Sequence, residues 1–83
     1  MKILQHKVLL QYGEEGEAVT GYTKVHRDEA GMFVDVDSHS GGYPYATTID
    51  RAYDFKTTEK ALKYAGHFPG LKVRSVTITY EVN

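Results

Sequence analysis

Residues 71–82, LKVRSVTITYEV, alternate polar and apolar side chains and are dense in β-branched types. Such a run fits a pleated strand with one covered face, whereas a helix would space its apolar residues roughly three to four apart. The alternation puts Val76, Ile78, Tyr80 and Val82 inward and Ser75, Thr77, Thr79 and Glu81 outward. Residues 2–12 repeat the pattern, with Leu4, His6, Val8, Leu10 and Tyr12 on one side and Gln5, Lys7 and Gln11 on the other. Two runs of this length commit an 83-residue chain to a sheet.

The residues between them supply the rest of it. GEEGE at 13–17 offers turn chemistry and no apolar surface, so it predicts a hairpin joining the first strand to a second in AVTGYTKVHR, residues 18–27. DEAG at 28–31 has the Asp-first, Gly-last pattern of a type I turn. MFVDVDS then reads as a third strand with Met32, Val34 and Val36 on one side, completing a three-stranded meander, and a further short strand is expected within YATTIDRAY, residues 45–53. The period changes in KTTEKALKYAGHFPG, residues 56–70. Thr57 is the expected N-cap, Glu59 falls in the first turn, Ala61, Leu62 and Ala65 form the apolar stripe, and Gly66 stands where a left-handed C-cap residue would. The order β-β-β-(β)-α-β describes an α+β fold. An antiparallel sheet of four to five strands carries one short helix on one face and shows the other to water.

Composition narrows the classes of function. At 83 residues the chain is a single domain, 1–83, and folding at this size buries only roughly 60–65% of the unfolded surface. Ten Lys+Arg against eleven Asp+Glu leave a net charge of -1, which argues against nucleic acid or an anionic membrane as the main partner. With no cysteine there is neither a disulfide frame nor a thiolate metal site. Gln5, His6 and Lys7 interrupt the apolar run near the N-terminus as no signal peptide would, and no stretch reaches the ~18 apolar residues of a membrane span. The expectation is a soluble cytoplasmic protein.

Few constellations point to chemistry. Asp35, Asp37 and His39 share one face of a strand, about 7 Å apart from one to the next. They could serve a metal-dependent enzyme, but ligands so spaced on one flat strand need a neighbouring strand to complete a site. The histidines at 6, 26, 39 and 67 show no ligand spacing, and no nucleophile motif or phosphate-binding loop is present. The reading is therefore no catalytic residue, no metal and no cofactor. Asp50, Arg51 and Asp54 stand close together in sequence, as an ion-pair cluster or an active-site fragment would. Lys24, Arg27, Arg51, Lys56, Lys60, Lys63, Lys72 and Arg74 would be the phosphate partners if the tyrosines stacked on bases, which makes a weak nucleic-acid binder the alternative.

Seven tyrosines and no tryptophan are the stronger signal. Tyr43, Tyr45 and Tyr53 fall in or beside SHSGGYPYATTIDRAYDF, residues 38–55, which reads as one long loop. Tyrosine offers a rigid amphipathic face at low entropic cost, and long loops in small domains tend to be functional. Tyr43, Pro44, Tyr45, Arg51 and Tyr53 are accordingly the candidate protein-binding residues.

Gly41, Gly42, Tyr43, Pro44 and Tyr45, followed by Phe55, Thr57, Ala61 and Ala65, resemble a pattern in a family of small uncharacterised phage and prophage proteins of Gram-positive bacteria, in which a G-G-Y-P-Y loop precedes an F-x-[ST]-x-x-x-A helix. The resemblance spans about a third of the chain and names no activity. It implies a cytoplasmic accessory protein that binds a host protein. Taken together, the sequence leads to a non-enzymatic binding module acting through protein contacts, which exposed strand edges would also lead to pair as a homodimer.

Overall fold

The structure, a computed structural model, describes residues 1–19, 24–40, 43–68 and 70–83, with only the backbone at 37–40 and 43–44. Four strands and two helices follow in the order β1 (Lys2–Gln11), β2 (Phe33–Ser40), β3 (Tyr43–Thr47), a single 3-10 turn (Ile49–Arg51), α1 (Thr58–Ala65) and β4 (Lys72–Glu81). The strands form one antiparallel sheet in the order β3-β2-β1-β4, with α1 on one face. This is the α+β fold read from the sequence. Among the described residues no helix is long and apolar enough to cross a membrane.

The membership of the sheet differs from the expected meander. Residues 18–19 and 24–27, the described part of the expected second strand, do not pair with β1. Gly16 N donates to Val25 O, Val25 N donates to Glu17 O, and Ala18 bridges Lys24, so this segment closes on itself. It drops Val19 and Val25 into the core as plugs, because its apolar residues gain more by filling the open end than by extending the sheet. Residues 20–23 of the expected strand lie outside the described residues. Place beside β1 is taken by β4, which pairs along the whole of β1 from Lys2↔Glu81 to Gln11↔Lys72. Part of the expected long loop is strand: residues 43–47 form β3, so Tyr43 and Tyr45 stand on a hairpin with β2. The proline of β3 is tolerated because this strand is at the sheet edge.

Pairing fixes which residues share a face, since directly opposed residues point the same way. Val8 faces Ser75 and Leu10 faces Val73, and this is the side on which Leu10, Tyr12, Val19, Val25, Val34, Phe55, Ala61 and Leu71 build the core. Ile3, Gln5, Lys7 and Leu9 oppose Tyr80, Ile78, Val76 and Arg74 on the reverse side. The expected orientation of β4 is thus inverted: Val73 packs against the core, and Val76, Ile78 and Tyr80 lie on the face without a helix. The core covers only one end of the β1/β4 ribbon. Leu4 is 61% exposed and His6 is exposed, while Leu9, on the supposed polar face, is fully buried. The ribbon therefore projects past the core, giving a molecule 47 Å long and 20 Å thick.

Helix α1 starts as read, with the Thr57 hydroxyl accepting from Lys60 N at 3.1 Å. Its buried stripe is different. Ala61 is fully buried and Tyr64, Ala65 and Phe68 pack against the core, the i, i+3, i+4, i+7 set, whereas Leu62 is 58% exposed. Gly66 is right-handed (φ -60) and does not act as a left-handed cap. The left-handed glycine is Gly70 (φ +107), where a Cβ would meet the Ala18 carbonyl oxygen.

Candidate functional site

β1 and β2 pair at Gln11↔Phe33 and then separate. Residues 53–55 enter the gap. Tyr53 N donates to Val34 O (3.1 Å) and Phe55 N donates to Val8 O (2.9 Å), so this segment satisfies one strand on each side. Asp54 completes the seal: its Oδ1 accepts from Val8 N at 3.0 Å and from Lys56 N at 2.9 Å, and its other oxygen lies 3.4 Å from the Lys56 ammonium. Burial alone would raise the Asp54 carboxyl, but the two backbone N–H groups and Lys56 outweigh it and hold the group below its ordinary value. The short turn from Asp54 to Lys56 also holds Lys56 at φ +72, a conformation that a local carboxylate-to-backbone bond supports.

This wedge sets up a series of rings. Tyr53 meets Phe55 edge-on at 5.0 Å, Phe55 meets Tyr64 at 5.2 Å, and Tyr64 meets Phe68 at 5.2 Å. Between the wedge and α1 the rings leave an open groove of about 360 Å³. Val36, Tyr53, Phe55 and Tyr64 form its floor, and Lys60, Lys63 and His67 form its rim on the helix side. Lys60 and Lys63 make no ion pair among the described residues, unlike Lys56 with Asp54 and Lys72 with Glu17. The Tyr64 hydroxyl oxygen is buried and has no hydrogen-bond partner among the described residues, and burial raises its pKa above the ordinary phenol value. A buried polar atom without a partner is an uncommon feature in a folded protein. Here it sits in a residue that lines the groove.

The residues singled out in the sequence divide between the two faces. Tyr53 lines the groove, with 41% of its surface exposed. Tyr45 opposes Asp35 across β2, on the face opposite Val34 and Val36, and is 48% exposed there. Arg51 is exposed on the 3-10 turn. The side chains of Tyr43 and Pro44, and those of Asp37 and His39, lie outside the described residues. Asp54 does not join Asp50 and Arg51 as one cluster. The Thr48 hydroxyl, followed by Asp50's own backbone N–H and by the charge of Arg51, lowers the Asp50 carboxyl, and Asp54 is committed to Val8 and Lys56. Among the described residues no three carboxylate or histidine side chains meet as a metal site.

Val36, Phe55, Tyr64 and His67 were not among the candidates from sequence. The available signal was the spacing of Tyr64 and Phe68 from Ala61, which places both rings on the core side of the helix. Family models, curated proteins and solved structures gave no match to this chain.

Proposed function

We propose that the protein is a non-enzymatic binding module that takes an acidic segment of a partner protein, anchored by one aromatic or large aliphatic side chain, into the groove between α1 and residues 53–55. The observation that carries this reading is an apolar, aromatic floor beside two lysines that make no ion pair among the described residues. The floor offers a place for one anchoring side chain, which would desolvate against Phe55 and Tyr53. Lys60 and Lys63, one helical turn apart, would meet carboxylates flanking the anchor and steer their approach. Arg51 is not part of the groove lining, and Tyr45 belongs to the other face, so among the candidate residues with described side chains the binding surface holds Tyr53.

The test is fluorescence anisotropy with labelled peptides of about ten residues that share a central phenylalanine and carry acidic, neutral or basic flanks. The acidic peptide should bind tightest, and Lys60→Glu combined with Lys63→Glu should weaken it about tenfold or more. Tyr45→Ala should leave it unchanged. Equal binding of the three peptides, or preference for a single-stranded oligonucleotide with a steep salt dependence, would overturn the proposal.

A further inference from the structure

The two outer strands of the sheet are unlike. β3 is short, carries Pro44, and pairs with β2 through an irregular register. Such features blunt an edge. β4 is ten residues long, has neither proline nor glycine, and pairs without a break. Its outer side presents a bare row of backbone groups.

Which groups these are follows from the ladder. Met1 N donates to Val82 O and Val82 N donates to Met1 O, so Met1 and Val82 form a pair that exchanges both bonds. In an antiparallel ladder such pairs alternate, so the even-numbered residues of β4 turn their N–H and C=O toward β1. The other edge of β1 agrees: Val8 and Tyr12, which alternate with the bonded positions, turn theirs toward Asp54, Phe55 and Met32. Val73, Ser75, Thr77, Thr79 and Glu81 therefore point their backbone groups outward, and none of these groups is bonded among the described residues.

We infer that β4 pairs antiparallel with β4 of a second copy about a two-fold axis at Thr77, joining the two sheets into one. Five features select this occupant. Thr77 is the midpoint of the outward-pointing set, so every outward group finds a partner: Val73 with Glu81, Ser75 with Thr79, and Thr77 with itself. A shift of the axis to Val76 or Ile78 leaves outward groups at the strand ends without one. On the face without the helix, the same register sets Val76 against Ile78 and Arg74 against Tyr80, as closely spaced, non-hydrogen-bonded pairs. The first is an apolar β-branched pair and the second a cation over an aromatic ring. Arg74 is held on that face by its Nε, which donates to Gln11 Oε1 at 2.9 Å. The apolar stripe of exposed Ile3 and Tyr80 and half-buried Ile78 on that face then runs on into its own copy across the axis. The charges also agree, since antiparallel pairing brings the Arg74 end of one strand to the Glu81 end of the other.

None of the groove residues lies on β4, so this pairing and the proposed peptide site are tested separately. Sedimentation equilibrium over a wide concentration range should show the mass rising from the 9.3 kDa of the chain toward twice that value. Thr77→Lys, which puts two ammonium groups opposite each other, should hold the mass at that of the monomer while leaving the circular dichroism spectrum and melting cooperativity intact. The chain has no cysteine of its own. Thr77→Cys should therefore give an oxidised, cross-linked dimer, and Val73→Cys, whose own copy would lie roughly 26 Å away, should not. A monomer mass at all concentrations, a dimer indifferent to Thr77→Lys, or cross-linking at 73 and not at 77 would each overturn the inference.

Discussion

Asp54→Ala removes the group that closes the gap between β1 and β2. The Asp54 side chain is 14% exposed, and the Val8 N–H that it accepts is partly buried with no other acceptor at hand. Leaving such a donor unsatisfied costs about 1–3 kcal/mol. The same substitution removes the bond that supports Lys56 at positive φ, a conformation that costs a non-glycine residue about 1–2 kcal/mol. The sum, about 2–5 kcal/mol, is a large share of the roughly 4–12 kcal/mol available to a domain of this size. It corresponds to a fall in Tm of about 10–40 °C. Asp54→Asn keeps an acceptor oxygen for Val8 and should cost about 1 kcal/mol. The pH dependence separates charge from geometry. Because the folded carboxyl lies below its ordinary value of 3.8, its contribution is complete above that pH and is lost as pH falls through the lower folded value. The stability gap between wild type and Asp54→Ala, measured by urea unfolding, should be widest near neutral pH and should narrow below 3.8. A gap under about 0.5 kcal/mol at neutral pH, or one that does not change with acid, would refute the reasoning.

Three further substitutions have expected outcomes. Tyr64→Phe removes a buried hydroxyl that has no hydrogen-bond partner among the described residues, so thermal melts should show equal or higher stability while peptide affinity stays within about twofold. Gly70→Ala forces a side chain into a left-handed backbone against the Ala18 carbonyl and should cost more than about 2 kcal/mol in chemical unfolding. Thr57→Ala removes the N-cap of α1 and should lower stability by about 1 kcal/mol, with loss of helical circular dichroism confined to the first turn.

The elements that could be read from sequence were those decided locally. The first and last strands, the Thr57 cap and the glycine turns at 13–17 and 28–31 depend on neighbours in the chain, and the structure places them where the pattern does. The errors came from what lies over each element. Alternation in β4 was oriented by its larger apolar set, Val76, Ile78 and Tyr80, on the assumption that the whole strand lies over the core. Only its first residues do, and there the apolar side chains are Leu71 and Val73, which belong to the opposite parity. Leu4 and His6 fail for the same reason at the matching end of β1. Residues 18–27 carry β-branched and aromatic residues that suit a strand, yet β4 pairs along one edge of β1 while Met32, Phe33, Asp54 and Phe55 bond to the other, so the described residues of this segment pair with one another instead. The groove was half legible. Lys60 and Lys63 stand out in sequence as phosphate partners and Tyr53 as a candidate protein-binding residue, but their meeting depends on Asp54 pinning residues 53–55 between two strands. No sequence period encodes that contact.

The most direct test of the central claim is an amide chemical-shift titration of the isotope-labelled protein with the acidic, phenylalanine-bearing peptide. Saturable shifts gathered at Val36, Tyr53, Phe55, Lys60, Lys63, Tyr64 and His67 would establish the groove as the binding surface. Shifts gathered around Tyr45 on the opposite face, or none that saturate, would contradict it.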